Sequence, residues 1–313
     1  MVEVTLYQPL ITSPKDNNLN LHHESVPAFI DRDPTGAELE QFRLLMSLHR
    51  YGIGPGGVLK SGELYPFWTF IEMAFAEAFG GVHVPAGKGT YDVLLPHDTN
   101  PKIMYGIQVK SKGTWCGKNK SRAYVEFDNA NKTYLDGLHR DKVRPAPPVW
   151  MNPTSPGSLT QSQKIGNSIM KTQHRTHSSA RTGHLGLTSG QTIDTNLGKL
   201  VHITWSHNSQ GLYQYFISCW DYNIKVPYWR FKGAHPKARG GGSLWGYVNS
   251  TDHDDEHVAS WNFASRGQFK WFPLRASGKE YSNGGKPFVV EAGPAGGYTW
   301  ADIAKNLFPT KWK

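Results

Sequence analysis

Residues 90–113, TYDVLLPHDTNPKIMYGIQVKSKG, decide the fold of this chain because they contain two strand-like apolar runs. The runs TYDVLLP and KIMYGIQVKSK are separated by HDTNPK, whose Asp, Asn and Pro residues are typical of turns. The pattern predicts a β-hairpin. It also contains an acid, Asp92, and a polar pair, Gln108 and Lys110, which need an explanation inside otherwise apolar strands.

Side chains alternate across a strand, so Gln108 and Lys110 are expected on one face, with Ile107 and Val109 on the other. Residues on adjacent strands lie about 5 Å apart, and the hairpin can therefore place Asp92 beside the polar pair. An acid, an amide and an ammonium group are expected to converge.

A helix with one buried acid is predicted just before the hairpin. Residues 62–81, GELYPFWTFIEMAFAEAFGG, are apolar around most of a helix from about Leu64 to Phe79. Glu72 has Trp68, Phe75 and Phe79 as helical neighbours, so it lies on an apolar stripe. We expect its carboxyl group to point inward.

These groups suit metal-dependent cleavage of a phosphodiester. Mg²⁺ prefers oxygen ligands, which the Asp92 carboxylate, the Gln108 amide and the main-chain carbonyl of Val109 can supply. The cation would activate a water molecule, and Lys110 would orient that water or offset negative charge. A buried Glu72 is explained as an accessory ligand, because an unpaired buried acid is costly.

The arrangement of Glu72, Asp92 and Gln108-Val109-Lys110 resembles the PD-(D/E)xK nuclease superfamily, which includes most type II restriction endonucleases. It is closest to the Gln-x-Lys variant of Mrr-like enzymes and covers roughly residues 64–112. The resemblance implies a restriction-endonuclease-like mixed central sheet flanked by helices, with additional β-rich segments in the C-terminal half. It also implies Mg²⁺-dependent hydrolysis of double-stranded DNA, with Asp92, Gln108, Lys110 and Glu72 as catalytic residues, and often a homodimer.

Two basic segments are candidates for DNA contacts. Residues 110–122, KSKGTWCGKNKSR, interleave basic side chains with an aromatic ring, and residues 171–184, KTQHRTHSSARTGH, read as a flexible basic stretch. Solvated surface loops are the alternative. The residues expected to bind DNA are Lys112, Trp115, Lys118, Lys120, Arg122, Arg175 and Arg181.

The rest of the chain predicts an α/β protein. Residues 1–35 read as an extended arm, followed by a helix capped by Thr35, and further helices are predicted at 129–139, 158–174 and in TWADIAKNLFP. A second hairpin is predicted from the runs KLVHITWS and GLYQYFISCWDY. Shorter strands are predicted from RAYVEF, LWGYV, QFKWFPLRA and PFVVEA.

We expect a nuclease core at 36–198 with DNA-contacting loops, and a β-rich part at 199–313 that completes the fold and recognises the target. No clean linker separates them, so one continuous domain is the alternative.

Composition limits the function classes. The chain has 34 Lys and Arg against 25 Asp and Glu, a formal net charge of +9, which favours nucleic acid as partner. The two cysteines form no zinc pattern, and no apolar run is long enough to span a membrane, so a cytoplasmic protein with free thiols is expected. A single disulfide between the two cysteines is the alternative.

Three other functions compete with the nuclease. A basic nucleic-acid-binding protein without catalysis would explain the charge, and a carbohydrate-binding module would explain the many Trp and Tyr residues. His253, Glu256 and His257 match an inverted zinc-protease pattern, although the surrounding residues favour an acidic loop.

Overall fold

The computed structural model describes thirteen stretches of the chain. They are residues 27–49, 56–58, 64–85, 90–113, 125–127, 131–143, 157–207, 213–222, 224–232, 242–253, 256–262, 268–272 and 288–292. Most of the predicted N-terminal arm and the predicted C-terminal helix lie outside these residues. The described residues confirm a mixed α/β fold, and none of their helices is long and apolar enough to cross a membrane.

Four helices and fourteen strands occur in the described part of the chain. The helices are α1 (Gly36–His49), α2 (Trp68–Ala78), α3 (Asn131–Arg140) and α4 (Ser158–Gly183). The strands are β1 (Gly56–Val58), β2 (Leu64–Pro66), β3 (Val82–His83), β4 (Val93–Pro96), β5 (Ile103–Gly113), β6 (Val125–Phe127), β7 (Thr192–Ile193), β8 (Lys199–His207), β9 (Tyr213–Asp221), β10 (Tyr228–Lys232), β11 (Ser243–Tyr247), β12 (Ala259–Asn262), β13 (Gln268–Trp271) and β14 (Phe288–Ala292).

The chain divides into two compact units whose segments alternate along the sequence. Unit 1 consists of Met1–Asn119, Ala180–Tyr222 and Gly285–Lys313, and unit 2 consists of Lys120–Ser179 and Asn223–Gly284. The predicted boundary after residue 198 falls between β7 and β8, which both belong to unit 1.

Unit 1 is built on a seven-stranded mixed sheet in the order β14-β9-β8-β5-β4-β3, with β7 also paired to β5. Both predicted hairpins are present: β4 pairs antiparallel with β5, and β8 pairs antiparallel with β9. β7 and β8 run parallel to β5 and pair with the edge opposite β4, so β5 is an inner strand of the sheet. The strand that carries Gln108 and Lys110 is therefore held on both sides.

Helices α1 and α2 share one apolar core with this sheet. Phe42 of α1 and Phe75 of α2 are fully buried in it, together with Ile107 and Val109 of β5. The ring of Phe29 lies 5.4 Å from that of Phe75, between centroids. The apolar face of β5 that the alternation predicts is thus the face that enters the core.

The start of α1 follows the predicted cap. The Glu38 amide donates to Oγ1 of Thr35 at 3.2 Å, and the Thr35 amide donates to the Glu38 carboxylate at 2.7 Å. This reciprocal pair is a capping box, which satisfies amide groups at a helix end. Arg32 also forms an ion pair with Glu38, which fixes the chain entering the helix.

The predicted start of α2 at Leu64 is wrong. Residues 64–66 form β2, which pairs with β1, and the helix begins at Trp68 after the extended residue Phe67. The physical reason is Pro66, whose ring disfavours helical backbone at Tyr65. Glu72 is only 4% exposed, which confirms that it points inward.

Unit 2 contains a five-stranded antiparallel sheet in the order β10-β11-β12-β13-β6, together with α3 and residues 158–179 of α4. The prediction that residues 171–184 are a flexible stretch is wrong, because α4 continues to Gly183. No proline interrupts this segment, and Thr172, Gln173 and His177 are buried, so packing supports the longer helix.

Candidate active site

Asp92 lies immediately before β4, where backbone bonds fix it between two strands. Its amide donates to the carbonyl of Ile107 at 3.0 Å, and its carbonyl accepts from the amide of Val84 at 2.8 Å. The Asp92 Oδ2 atom accepts from the Val109 amide at 2.9 Å and lies 3.3 Å from Nζ of Lys110. The hairpin therefore brings the predicted acid and the predicted lysine together.

Glu72 supplies a second carboxyl group to this region. Its Oε2 atom lies 3.3 Å from Nε2 of His83, a residue of β3. Burial, reinforced by the nearby charge of Asp92, raises the pKa of Glu72 to about 8, whereas Lys110 acts in the opposite direction. Glu72 therefore keeps a proton at neutral pH unless a cation compensates its charge.

Asp92 has neighbours that favour the charged form of its carboxyl group. Burial raises the pKa of Asp92, but Lys110 and the Val109 amide both stabilise its charged form. Within the described part of the chain, the partner of the Glu72 carboxyl group is His83, whose own pKa is lowered by burial. Of the two carboxyl groups, Asp92 is therefore the one whose negative charge has hydrogen-bond donors and a cation beside it.

Gln108 contributes an amide oxygen that lacks a partner. The side chain is 7% exposed, and its Oε1 atom has no hydrogen bond within the described part of the chain. A buried acceptor without a partner costs about 1–3 kcal/mol. Because Gln108 lies in an inner strand of the sheet and its oxygen is not compensated there, we infer that this oxygen has a ligand to bind.

The donor set fits a hard cation such as Mg²⁺. Two carboxyl groups and one amide oxygen are the ligand types that Mg²⁺ accepts, together with main-chain oxygens such as that of Val109. Among the described residues, no group of three or more His, Cys, Asp or Glu side chains is arranged as a metal site. The charges of Asp92 and Glu72 interact, and Gln108 lies on the same strand as Lys110 and, by alternation, on the same face.

Two histidines near this site were missed by the sequence analysis. His83 stands in the alternating segment GGVHVP, where a short strand before the hairpin could have been predicted. His184 lies 93 positions after Tyr91 and has no local signal. Its Nδ1 accepts from the Gly186 amide at 3.4 Å, and its Nε2 lies 3.1 Å from both the amide and the carbonyl of Tyr91. These contacts hold the backbone next to Asp92.

Gly106 is required for the same backbone position. A Cβ atom on Gly106 would lie 2.4 Å from the ring of Tyr91, which is 1% exposed and precedes Asp92. We expect Gly106→Ala to destabilise the protein by about 1–3 kcal/mol, because the buried ring has little room to move. Urea unfolding measures the effect, with Gly183→Ala as control because a Cβ there meets no atom. Equal stability of the two variants would contradict this packing.

The predicted DNA-binding residues are distributed as follows. Four of them lie outside the described residues: Trp115, Lys118, Lys120 and Arg122. For Lys112, only the backbone in β5 is described. Arg175 forms an ion pair with Asp141 in unit 2, and Arg181 is exposed in the last turn of α4.

The described residues of the segment with the zinc-protease pattern are not α-helical, and Glu256 lies in a 3₁₀ turn. The His253 amide donates to the Glu256 carboxylate, and the Glu256 amide donates to the His253 carbonyl, as in a turn. The ring of His257 stacks on Trp245, with 4.1 Å between centroids. This contact makes His257 a packing residue of the five-stranded sheet.

No family model matches the chain, and comparison with curated proteins and with solved structures gives no significant match.

Proposed function

We propose that this protein is a Mg²⁺-dependent double-stranded DNA endonuclease of restriction-enzyme type with a restriction-endonuclease-like core. The observation that carries the proposal is the meeting of Asp92 with Lys110, near enough to the buried acid Glu72 for their charges to interact. Gln108, two residues before Lys110 on the same strand, adds an amide oxygen that has no partner among the described residues. A solvated hairpin has no need of a second buried acid or of an orphaned amide. A cation site explains both.

Each side chain has a task that its surroundings support. Asp92, Gln108 and Glu72 would hold the cation, with the carbonyl of Val109 as a further oxygen. When bound, Mg²⁺ polarises the scissile phosphate and makes an attacking water more acidic. Lys110 is 29% exposed at its side chain, so it can reach both Asp92 and an incoming phosphate, and its ammonium group offsets the charge that develops on that phosphate.

The raised pKa of Glu72 gives it a second use. A carboxyl group that titrates at about 8 in the cation-free protein exchanges protons near neutral pH. Cation binding is expected to displace this proton, and affinity for the cation therefore rises with pH. The same group can afterwards accept a proton from water.

The remaining parts of the proposal concern its biological setting. A homodimer is proposed because a two-fold pair of subunits can cut both strands of a symmetric duplex site. A restriction-modification system in the cytoplasm is proposed as the setting, since such an enzyme acts on incoming DNA. The mixed sheet with α1 and α2 packed against it supports the restriction-endonuclease-like core.

The test is cleavage of methylated and unmethylated phage DNA by the full chain in Mg²⁺, with EDTA as control. Discrete fragments that require the cation are the expected result. If neither DNA is cut although both are bound, the protein is a non-catalytic nucleic-acid-binding protein and the proposed function is wrong.

A further inference from the structure

The charge of the chain is divided unevenly between its two units. Unit 2 contains 18 Lys and Arg residues against nine Asp and Glu, whereas unit 1 contains 16 of each. The entire formal excess of +9 therefore belongs to unit 2. The candidate active site lies in unit 1. Affinity for a polyanion and the chemistry at a phosphate are thus expected from different units.

Helix α4 carries part of this excess on one face. Its 26 residues include no Asp or Glu. Five exposed residues are spaced three and four positions apart, which places them along one side of the helix. They are Lys164, Asn167, Lys171, His174 and Ser178. All five belong to unit 2. We call this set the α4 basic face.

The other side of α4 fixes the helix in unit 2. Ile165 and Ile169 are fully buried, and Oγ of Ser162 donates to the carbonyl of Trp229 at 2.9 Å. Gly166 lies so close to the Trp229 ring that a Cβ atom would clash with it. The α4 basic face is therefore presented by a helix whose packing does not depend on it.

The acid beside this helix is already engaged. Asp141 accepts hydrogen bonds from Ser168 and from Arg175, and it also lies near enough to Lys171 to feel its charge. Asp141 carries a single negative charge and Arg175 already forms an ion pair with it. As far as the described residues are concerned, the positive charge of Lys164 and Lys171 therefore remains largely available to an outside partner.

We propose that the α4 basic face binds the phosphate backbone of double-stranded DNA and that unit 2 supplies most of the binding affinity. The choice of DNA among polyanions rests on the proposed nuclease function. Lys164 and Lys171 are two helical turns apart, about 10.5 Å along the axis, which corresponds to roughly three nucleotides of one strand. Asn167, His174 and Ser178 provide the polar groups that commonly contact phosphates and sugars.

An anionic membrane is the less suitable partner. A helix that lies on a lipid surface presents a broad apolar face beside its basic residues. The only large apolar side chain that α4 exposes is Leu159, in the first turn. The α4 basic face itself is polar along its whole length.

The test compares binding of a short fluorescent DNA duplex by the full chain in EDTA, where Mg²⁺-dependent cutting is prevented. The double variant Lys164→Glu/Lys171→Glu is expected to bind roughly tenfold or more weakly near physiological salt. The slope of log affinity against log salt should fall by about 2, because each lost phosphate contact removes about 0.9. The neutral variant Lys164→Gln/Lys171→Gln should show the same change in slope.

Lys102→Glu is the matched control, because Lys102 is an exposed lysine of unit 1. It should retain the affinity and salt slope of the parent protein. Equal loss in this control, or full affinity in the α4 variants with unchanged thermal stability, would overturn the inference. Tighter binding of duplex RNA or of anionic vesicles than of DNA would also overturn it.

This test separates the inference from the proposed nuclease. If DNA binding depends on the α4 basic face but Mg²⁺ produces no cutting, the binding surface stands and the nuclease fails. If the chain cuts DNA but the α4 variants bind normally, the nuclease stands and this inference is wrong.

Discussion

The variants Asp92→Asn and Lys110→Ala are each expected to lower Mg²⁺-dependent DNA cleavage roughly a thousandfold or more. Asp92→Asn keeps a side-chain oxygen that can accept from the Val109 amide but removes the charge needed for a cation. Lys110→Ala removes the ammonium group 3.3 Å from Asp92 without emptying a buried position. Single-turnover cleavage of a defined duplex measures both effects.

Two controls make this result specific. Lys102→Ala changes an exposed lysine on the turn before β5 and should cut at the parental rate. DNA binding in EDTA should be largely preserved in the Asp92 and Lys110 variants, because most of the affinity is proposed to come from unit 2, to which neither residue belongs. Cutting that persists in Lys110→Ala at the parental rate would place the active site elsewhere.

Glu72 is expected to make the cation-free protein less stable as pH rises from about 5 to about 8. The carboxyl group has an ordinary pKa of 4.5 in the unfolded chain and a raised pKa of about 8 in the folded protein. In this window the folded state binds more protons than the unfolded state, so stability is present at low pH and is lost as pH rises. The expected contribution is roughly 1–4 kcal/mol.

Unfolding by urea in EDTA at several pH values measures this effect. Glu72→Gln should remove most of the stability loss between pH 5 and pH 8, because the amide does not ionise. Glu77→Gln is the matched control, since Glu77 is exposed on the same helix. Identical pH profiles for the parent protein and Glu72→Gln would show that Glu72 ionises freely when folded.

Local patterns in the sequence predicted the part of the site that lies within short stretches of chain. Turn residues between two apolar runs predicted the β4–β5 hairpin, and this hairpin brings Lys110 to Asp92. Helical spacing of apolar residues predicted that Glu72 points inward. The position of Thr35 just before a helical pattern predicted the cap in which its Oγ1 accepts from the Glu38 amide. Each of these predictions depends on residues close in sequence.

Features that depend on distant residues could not be predicted in this way. The contact of His184 with Tyr91 joins residues 93 positions apart, and the pairing of β5 with β8 crosses a long insertion assigned largely to unit 2. The second half of α4 has Ser, Thr and His residues of low helix propensity, and burial of Thr172 and His177 offsets that weakness.

Binding of Mn²⁺ in the absence of DNA tests the central claim most directly, because Mn²⁺ accepts the same oxygen ligands as Mg²⁺ and is visible by electron paramagnetic resonance. We expect the parent protein and Glu77→Gln to bind it alike. Asp92→Asn and Gln108→Leu should each weaken binding by about tenfold or more. Gln108→Leu should not destabilise the cation-free protein, because it removes an acceptor that has no partner among the described residues. Parental Mn²⁺ affinity in both variants, or no Mn²⁺ binding by the parent protein, would contradict the account.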